Sequence, residues 1–216
     1  MAVNRMPESI DTLSLAEHGP VIPVIVIHRL EDAVPMAQAL VDGGVRVLEI
    51  TLRTPVALQC MTAIARAVPQ AIVGAGTVRS VADAQAARDA GCQFAVSPGY
   101  LSAVGLACRD IGLPLLPGVS TGSEVMQANA DGYHFLKFFP AAAAGGIPML
   151  EALAGPFPDV MFCPTGGITP QTAPQFLALP NVKVCGGSWL TPQAAVDAKD
   201  WARITQLARA AAELAR

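Results

Sequence analysis

The run "FLKFFPA", residues 135–141, decides how this chain of 216 residues is expected to fold, because it has the composition of a β-strand and carries a lysine in its middle. Side chains alternate between the two faces of a strand, so Phe135, Lys137 and Phe139 point one way and Leu136 and Phe138 the other. Desolvating an ammonium is costly unless it is paired or loses its proton. Either the lysine side chain extends to water, or the strand holds a buried amine that is paired or has lost its proton.

Seven other short, β-branched runs resemble this one, and Ala-rich segments with helical character lie between them. They are "PVIPVIVI" (20–27), "VRVLEITL" (45–52), "AIVGAGTV" (71–78), "QFAVSPG" (93–99), "PLLPGVS" (114–120), "VMFCPTGG" (160–167) and "VKVCGGS" (182–188). Strands that alternate with helices in this way predict a parallel sheet with right-handed crossovers.

Eight such units in one chain predict an α/β fold, a single (β/α)8 TIM barrel that spans residues 1–216 as one domain. A short amphipathic N-terminal helix around Ile10, Leu13 and Leu15 precedes the first strand. A doubly wound open sheet is the structural alternative. It would normally have a glycine-rich dinucleotide turn after its first strand, and "VIVIHRLED" has none.

Composition excludes several classes of partner. The net charge is −3 with no basic block, which argues against nucleic acid, and apolar runs such as "VIPVIVI" are too short to span a membrane. The N-terminus lacks the apolar core of a signal peptide, and five cysteines without a CxxC pair indicate reduced thiols in the cytoplasm. No histidine has metal-ligand spacing, so no metal site is expected. The 52% apolar content suits either an oligomer or an apolar monomer.

Glu49 is a second charge whose apolar neighbours indicate burial. It shares a strand face with Val45, Val47 and Thr51, and an inward glutamate is rare without a partner. It could balance Lys137 or move protons. If Lys137 also faces inward, loss of solvent raises the fraction of neutral amine, which can attack a carbonyl to form a Schiff base. A snorkelling lysine or a structural ion pair is the common alternative.

The ends of the strands carry the remaining candidates. Arg53, just beyond the second strand, could hold a carboxylate bidentately, although a solvated loop arginine would look the same. Thr77 in "GAGTV" and Pro98 in "SPG" are ordinary loop residues when taken alone. The last two strands end in "TGG" and "CGGS", at the positions where barrels usually bind phosphate through main-chain N–H groups.

Several of these motifs occur together in one known family. The chain resembles the 2-keto-3-deoxy-6-phosphogluconate aldolases, class I enzymes on a (β/α)8 barrel. The matching stretches run in family order from about residue 21 to residue 190: "PVIPVI", "GGVRVLEITLRT", "AIVGAGTV", "FAVSPG", "LPGVSTGSE", "KFFPA", "GPFPDVMFCPTGGI" and "GGSWL".

The resemblance implies a role for each candidate. Lys137 would be the Schiff-base lysine and Glu49 the proton-transfer residue, with no cofactor and no metal. Other residues would bind the keto acid or phosphosugar substrate: Arg53 and Thr77 its carboxylate, Pro98 and Phe139 the pocket wall, and Gly166, Gly167, Gly186, Gly187 and Ser188 its phosphate. Family members are typically homotrimers. This chain departs from the family pattern at 28–29, where relatives often carry two lysines, and at 141–144, where an Ala run replaces a more polar loop.

Two rival functions share most of these features. A phosphosugar isomerase or epimerase on the same barrel would use Glu49 as a base and form no covalent adduct. A non-catalytic phosphosugar-binding barrel would keep the glycine turns and would not need Lys137. Within the aldolase interpretation, 4-hydroxy-2-oxoglutarate is a second expected substrate.

Overall fold

Residues 12–214 are described by a computed structural model, and within them lie nine parallel strands and nine α-helices, which alternate over most of the chain. The strands are β1 (Val21–Ile25), β2 (Val47–Thr51), β3 (Ile72–Gly76), β4 (Phe94–Val96), β5 (Leu115–Leu116), β6 (Gly118–Val119), β7 (Phe135–Phe138), β8 (Met161–Pro164) and β9 (Cys185–Gly187). The helices are α1 (Ala33–Asp42), α2 (Ala57–Ala67), α3 (Val81–Asp89), α4 (Ser102–Asp110), α5 (Gly122–Ala130), α6 (Gly146–Ala154), α7 (Ala173–Leu177), α8 (Gln193–Asp197) and α9 (Trp201–Ala212). The predicted α/β fold with parallel strands is confirmed.

The strands form two sheets, one of six strands in the order β5-β4-β3-β2-β1-β9 and one of three in the order β6-β7-β8. The predicted fifth strand, 114–120, is divided between them at Pro117, which has no N–H to donate. Its neighbours still pair on both sides: Ser97 N donates to Leu116 O, and Lys137 N donates to Pro117 O. At the other junction, isolated parallel bridges join Phe162 to Val182 and Thr165 to Gly186. The two sheets therefore contact each other at both ends.

Both sheets bury side chains in one shared interior cluster. Its members are Leu15, Ala16, Ile22, Val47, Phe94, Val96, Leu116, Phe135, Cys163 and Val184. Most come from the strands, and two come from a short 3-10 helix at Leu13–His18. Ile10, the other residue of the predicted N-terminal helix, lies outside the described residues. The 3-10 helix adds apolar side chains at the amino ends of the strands and helps to fill that end of the interior.

The helices cover the outer faces of the strands. In α1, for example, Met36, Ala37 and Leu40 recur at the spacing of one helix face and are fully buried. Its C-terminal end packs tightly on α9, where a Cβ at Gly43 would lie 2.4 Å from Cβ of Ala208. In residues 12–214, no helix combines the length and the apolar character needed to cross a membrane.

Candidate active site

Lys137 and Glu49 form a buried ion pair. Lys137 lies in β7 and Glu49 in β2, and only 4% and 3% of the two residues are exposed. Nζ of Lys137 donates a hydrogen bond to Oε1 of Glu49 at 3.1 Å. Strand alternation turns both side chains inward, above the apolar interior cluster. The structure thus brings together the two charges that the sequence left as candidates for the interior, and it removes both from water.

Apolar and weakly polar groups surround the amine. The ring centroid of Phe139 lies 5.3 Å from Nζ of Lys137. Cys163 is the register partner of Lys137 on β8, and burial raises the pKa of its thiol to about 12, so it stays protonated at neutral pH. Its Sγ lies 3.8 Å from Oγ1 of Thr165. The amine of Lys137 therefore lies beside two neutral groups, the ring of Phe139 and the thiol of Cys163.

Sequence reasoning missed Thr165, which lines the same cavity as Lys137. The hydroxyl of Thr165 donates to the carbonyl of Cys163 at 3.3 Å, and the residue is buried. Alternation from Cys163 could have found it, because residues 163 and 165 share a face in "FCPTGG".

Arg53 and Thr77 meet at the carboxyl ends of neighbouring strands. Nε of Arg53 donates to Oγ1 of Thr77 at 3.3 Å, and the strands before them pair with Thr51 opposite Gly76. Thr77 has a φ of 64°, which is rare for a β-branched residue. This left-handed backbone is a strained conformation of the kind found at functional sites. Arg53 is exposed, so its guanidinium can reach an anion at the rim.

The glycine pairs form the opposite wall of the cavity. Gly166 and Gly167 have φ values of 101° and 75°, a conformation that favours glycine. At Gly186 a Cβ would lie 2.1 Å from Oγ1 of Thr165, so a side chain there has no room. The main chain at Gly186 thus packs directly against the Thr165 side chain, and both turns line the cavity with backbone that can offer N–H groups.

One cavity of about 130 Å³ joins most of these groups. Its walls are Val24, Arg53, Lys137, Phe139, Thr165, Gly166, Gly167, Ile168, Gly186, Gly187 and Ser188. Glu49 and Thr77 do not line the cavity themselves. Glu49 is hydrogen-bonded to Lys137 and Thr77 to Arg53, which both do. In the part of the chain that the structure describes, no group of three or more His, Cys, Asp or Glu side chains is arranged to hold a metal ion.

Pro98 lies apart from this cavity. It lines a separate, larger and mainly apolar cavity of about 230 Å³, formed by Val78, Arg79, Ser97, Pro98, Gly99, Tyr100, Leu101, Val104 and Glu124. The larger space contains no lysine and no apposed acid–amine pair. We therefore take the smaller cavity as the candidate active site.

Known proteins resemble this chain along nearly its whole length. The family model described as KDPG and KHG aldolase matches residues 13–207. The KHG/KDPG aldolase of Escherichia coli (strain K12) is 53% identical over 203 residues, which cover 94% of this chain and 95% of that protein.

Two solved structures share the fold closely. The KDPG aldolase from Legionella pneumophila, with pyruvate captured at low pH as a covalent carbinolamine intermediate, is 47% identical with a TM-score of 0.91, covering 93% of this chain and 98% of that chain. The Zymomonas mobilis ZM4 aldolase with 3-phosphoglycerate is 44% identical with a TM-score of 0.92, covering 96% and 98%. Because the family model matches most of the chain, and a protein more than half identical to it over nearly its full length bears the same family name, this chain belongs to the KDPG and KHG aldolase family.

Proposed function

We propose that this chain is a class I aldolase that cleaves 2-keto-3-deoxy-6-phosphogluconate to pyruvate and glyceraldehyde 3-phosphate through a Schiff base on Lys137. The observation that carries the proposal is the buried contact between Lys137 Nζ and Glu49 Oε1 in a cavity that also holds Arg53 and the glycine turns. The Legionella relative, captured as a pyruvate carbinolamine, supports the covalent chemistry.

The reaction begins with attack of the unprotonated Lys137 amine on the C2 ketone. The carbinolamine loses water to give an iminium, which withdraws electrons from the C3–C4 bond. Glu49, directly or through a water, takes the proton of the C4 hydroxyl, and the bond breaks to release the aldehyde. The enamine that remains is protonated at C3 and hydrolysed to pyruvate, which frees Lys137 for the next cycle.

The remaining residues orient the substrate. Arg53, supported by Thr77, would bind the carboxylate bidentately and so fix the ketone near Lys137. The main-chain donors of Gly166, Gly167, Gly186 and Gly187, with the hydroxyl of Ser188, would bind the phosphate at the other side of the cavity. Phe139 would shield the amine, and Pro98 would act only from the edge of the site. 4-Hydroxy-2-oxoglutarate has the same α-keto acid half, and the dual name of the Escherichia coli relative favours it as a second substrate.

The chemistry needs no metal, because the iminium performs the electron withdrawal that a Lewis acid would otherwise supply. Activity should therefore survive exhaustive treatment with EDTA. Loss that is reversed by Zn²⁺ or Mg²⁺ would move the protein to a metal-dependent class.

Borohydride trapping tests the function directly. Reduction in the presence of pyruvate should inactivate the enzyme and place a pyruvate-derived mass on the peptide that contains Lys137. The exposed Lys183 and Lys199 serve as internal controls, and Lys137→Arg keeps the charge but removes the nucleophile. A label on either control lysine, or none at all, would favour the isomerase or binding-protein alternatives.

We further propose a closed barrel and a homotrimer. The bridges at Val182 and Gly186, together with the continuous chain through Pro117, favour closure of the two sheets into one (β/α)8 barrel domain. Four of the large apolar side chains that are exposed lie on or at the start of three consecutive helices: Val81, Leu101, Leu106 and Met126. This α3–α5 surface is the one we assign to contacts between subunits.

A further inference from the structure

Gly76, the last residue of β3, lies against the carboxylate of Glu49. A Cβ built on Gly76 would lie 2.4 Å from Oε1, 2.7 Å from Cγ and 3.0 Å from Cδ of Glu49. Oε1 is the same oxygen that accepts the hydrogen bond from Lys137. This oxygen is therefore confined between an ammonium on one side and a bare glycine Cα on the other.

The main chain at Gly76 cannot easily move away. Its carbonyl accepts a hydrogen bond from Leu52 N at 2.9 Å, and it is paired in register with Thr51. Five consecutive register pairs hold β3 to β2, and β4 pairs with the opposite edge of β3. A new side chain at this position would therefore displace Glu49 rather than the strand.

Backbone conformation does not explain the glycine. Gly76 is absent from the set of residues with positive φ, so other amino acids could adopt its backbone geometry. Glycine in a strand interior weakens the strand and often marks a close approach of another group. The group that approaches here is a carboxylate of the candidate active site, which indicates that the lack of a side chain serves that carboxylate.

We propose that Gly76 is a positioning residue, which sets the place of Glu49 Oε1 relative to the Lys137 amine. The proposal rests on the proposed role of Glu49 in proton transfer. Ordinary contacts begin near 3.4 Å, so a methyl group at residue 76 would push the carboxylate oxygen by roughly 1 Å. A displacement of that size in an active site can reduce turnover by about 10²-fold.

Gly76→Ala tests the proposal, with Gly155→Ala as the matched control. Gly155 also has negative φ, and a Cβ there would have no heavy atom within 4 Å. We expect Gly76→Ala to lower kcat and the exchange of pyruvate methyl protons with D₂O by about 10²-fold, with KM changed much less. Borohydride should still trap pyruvate on Lys137 after prolonged incubation, because the nucleophile remains. Gly155→Ala should match the wild type.

A double-mutant cycle distinguishes positioning from a general structural effect. In a Glu49→Gln background, where the base is already gone, Gly76→Ala should reduce turnover by less than threefold. A further loss of about 10²-fold in that background would show that Gly76 acts through another group and would overturn the proposal. A wild-type kcat in the single variant Gly76→Ala would also overturn the positioning role. The aldolase function is tested separately, because borohydride trapping of pyruvate on Lys137 in the wild type would support it whatever Gly76 does.

A folding control covers the case in which Gly76→Ala does not fold. A Glu49→Ala/Lys137→Met background removes the carboxylate that the new methyl group would strike and also the amine that would be left unpaired. Adding Gly76→Ala to this background should destabilise the protein much less than adding it to the wild type. An equal loss of stability in the two backgrounds would show that the strand itself needs Gly76 and that the positioning role is wrong.

Discussion

The carboxylate of Glu49 and the ammonium of Lys137 meet across 88 residues of sequence, 3.1 Å apart and almost wholly removed from water. A buried pair of this kind is a costly arrangement, and removing one partner typically destabilises a protein by about 3–5 kcal/mol. A protein that needed only stability could fill the same space with apolar side chains. The pair therefore argues for chemistry at this position.

Glu49→Gln separates charge balance from proton transfer. Glutamine keeps the shape and a hydrogen-bond acceptor near Lys137 but cannot take a proton. If Glu49 moves protons, turnover should fall by roughly 10² to 10⁴ while the variant stays folded. Exchange of pyruvate methyl protons with D₂O reports enamine formation without any aldehyde, and it should fall together with turnover.

Lys137→Ala is the control for that measurement, since it should abolish exchange completely. Exchange at the wild-type rate in Glu49→Gln, with cleavage lost, would mean that another group handles the methyl proton. In that case the role of Glu49 would be limited to the C4 hydroxyl.

Ser188→Ala tests how the phosphate is recognised. The proposed site uses main-chain donors from the glycine turns, and the hydroxyl of Ser188 adds one side-chain donor in the same cavity. Loss of this hydroxyl should weaken binding of the phosphorylated substrate by about 1 kcal/mol, the size of one neutral hydrogen bond. Cleavage of 4-hydroxy-2-oxoglutarate, which has no phosphate, should be nearly unchanged. Equal losses in kcat/KM on the two substrates would place Ser188 away from the phosphate.

Charged substitutions on the α3–α5 surface test the proposed trimer. Met126 and Leu106 are 63% and 55% exposed, and a glutamate at either position should prevent burial in an interface. Light scattering should give three times the 22.3 kDa chain mass for the wild type and a lower mass for the variants. Leu30→Glu is the matched control, because Leu30 is also exposed but follows β1 instead. An unchanged mass in both test variants would place the interface elsewhere.

The buried thiols predict how stability changes with pH. Burial raises the pKa of Cys92 to about 12 and that of Cys108 to about 11, from an ordinary value of 9.0. Below about pH 9 both the folded and unfolded thiols are neutral, so the full stability is present. As pH rises further, the unfolded chain ionises and the folded chain does not, so the free energy of unfolding should fall. Burial also raises the pKa of the Tyr133 phenol to about 12, so this group lowers the free energy of unfolding at high pH in the same way.

Urea unfolding at about pH 8 and pH 10 checks this trend. The decrease should be smaller in Cys92→Ala, which removes one of the shifted groups. All five cysteines are buried and free, so Ellman's reagent should label none of them in the native protein at pH 8 and all five after denaturation. Rapid labelling without denaturant, or stability that increases with pH, would contradict the prediction.

The sequence could predict which side chains share a strand face, because alternation assigns every second residue of a strand to one side. The parallel arrangement of the strands followed from a different pattern, the alternation of strand-like with helix-like segments. These patterns leave open whether Lys137 faces the interior or the helix layer. Alternation does not give the height of a side chain relative to side chains on other strands. It also does not give the distance between strands that are not neighbours in the sheet. The closeness of Lys137 to Glu49, the contact of Gly76 with the carboxylate and the position of Pro98 beside a second cavity all depend on those distances. The division of the fifth strand at Pro117 was missed, although proline is a known interruption of strand pairing.

The packing beneath the amine has a consequence for the order of events in one catalytic cycle. In the part of the chain that the structure describes, Phe135, Leu116 and Val184 belong to the interior cluster below the amine. Leu15, from the 3-10 helix before β1, belongs to the same cluster. The cavity is thus closed on the side of this cluster, and the glycine turns line another side. We expect glyceraldehyde 3-phosphate, whose phosphate we assign to those turns, to depart while the three-carbon fragment is still attached to Lys137. Added aldehyde should then recombine with the attached fragment before hydrolysis, so the enzyme should also run backwards and form the carbon–carbon bond.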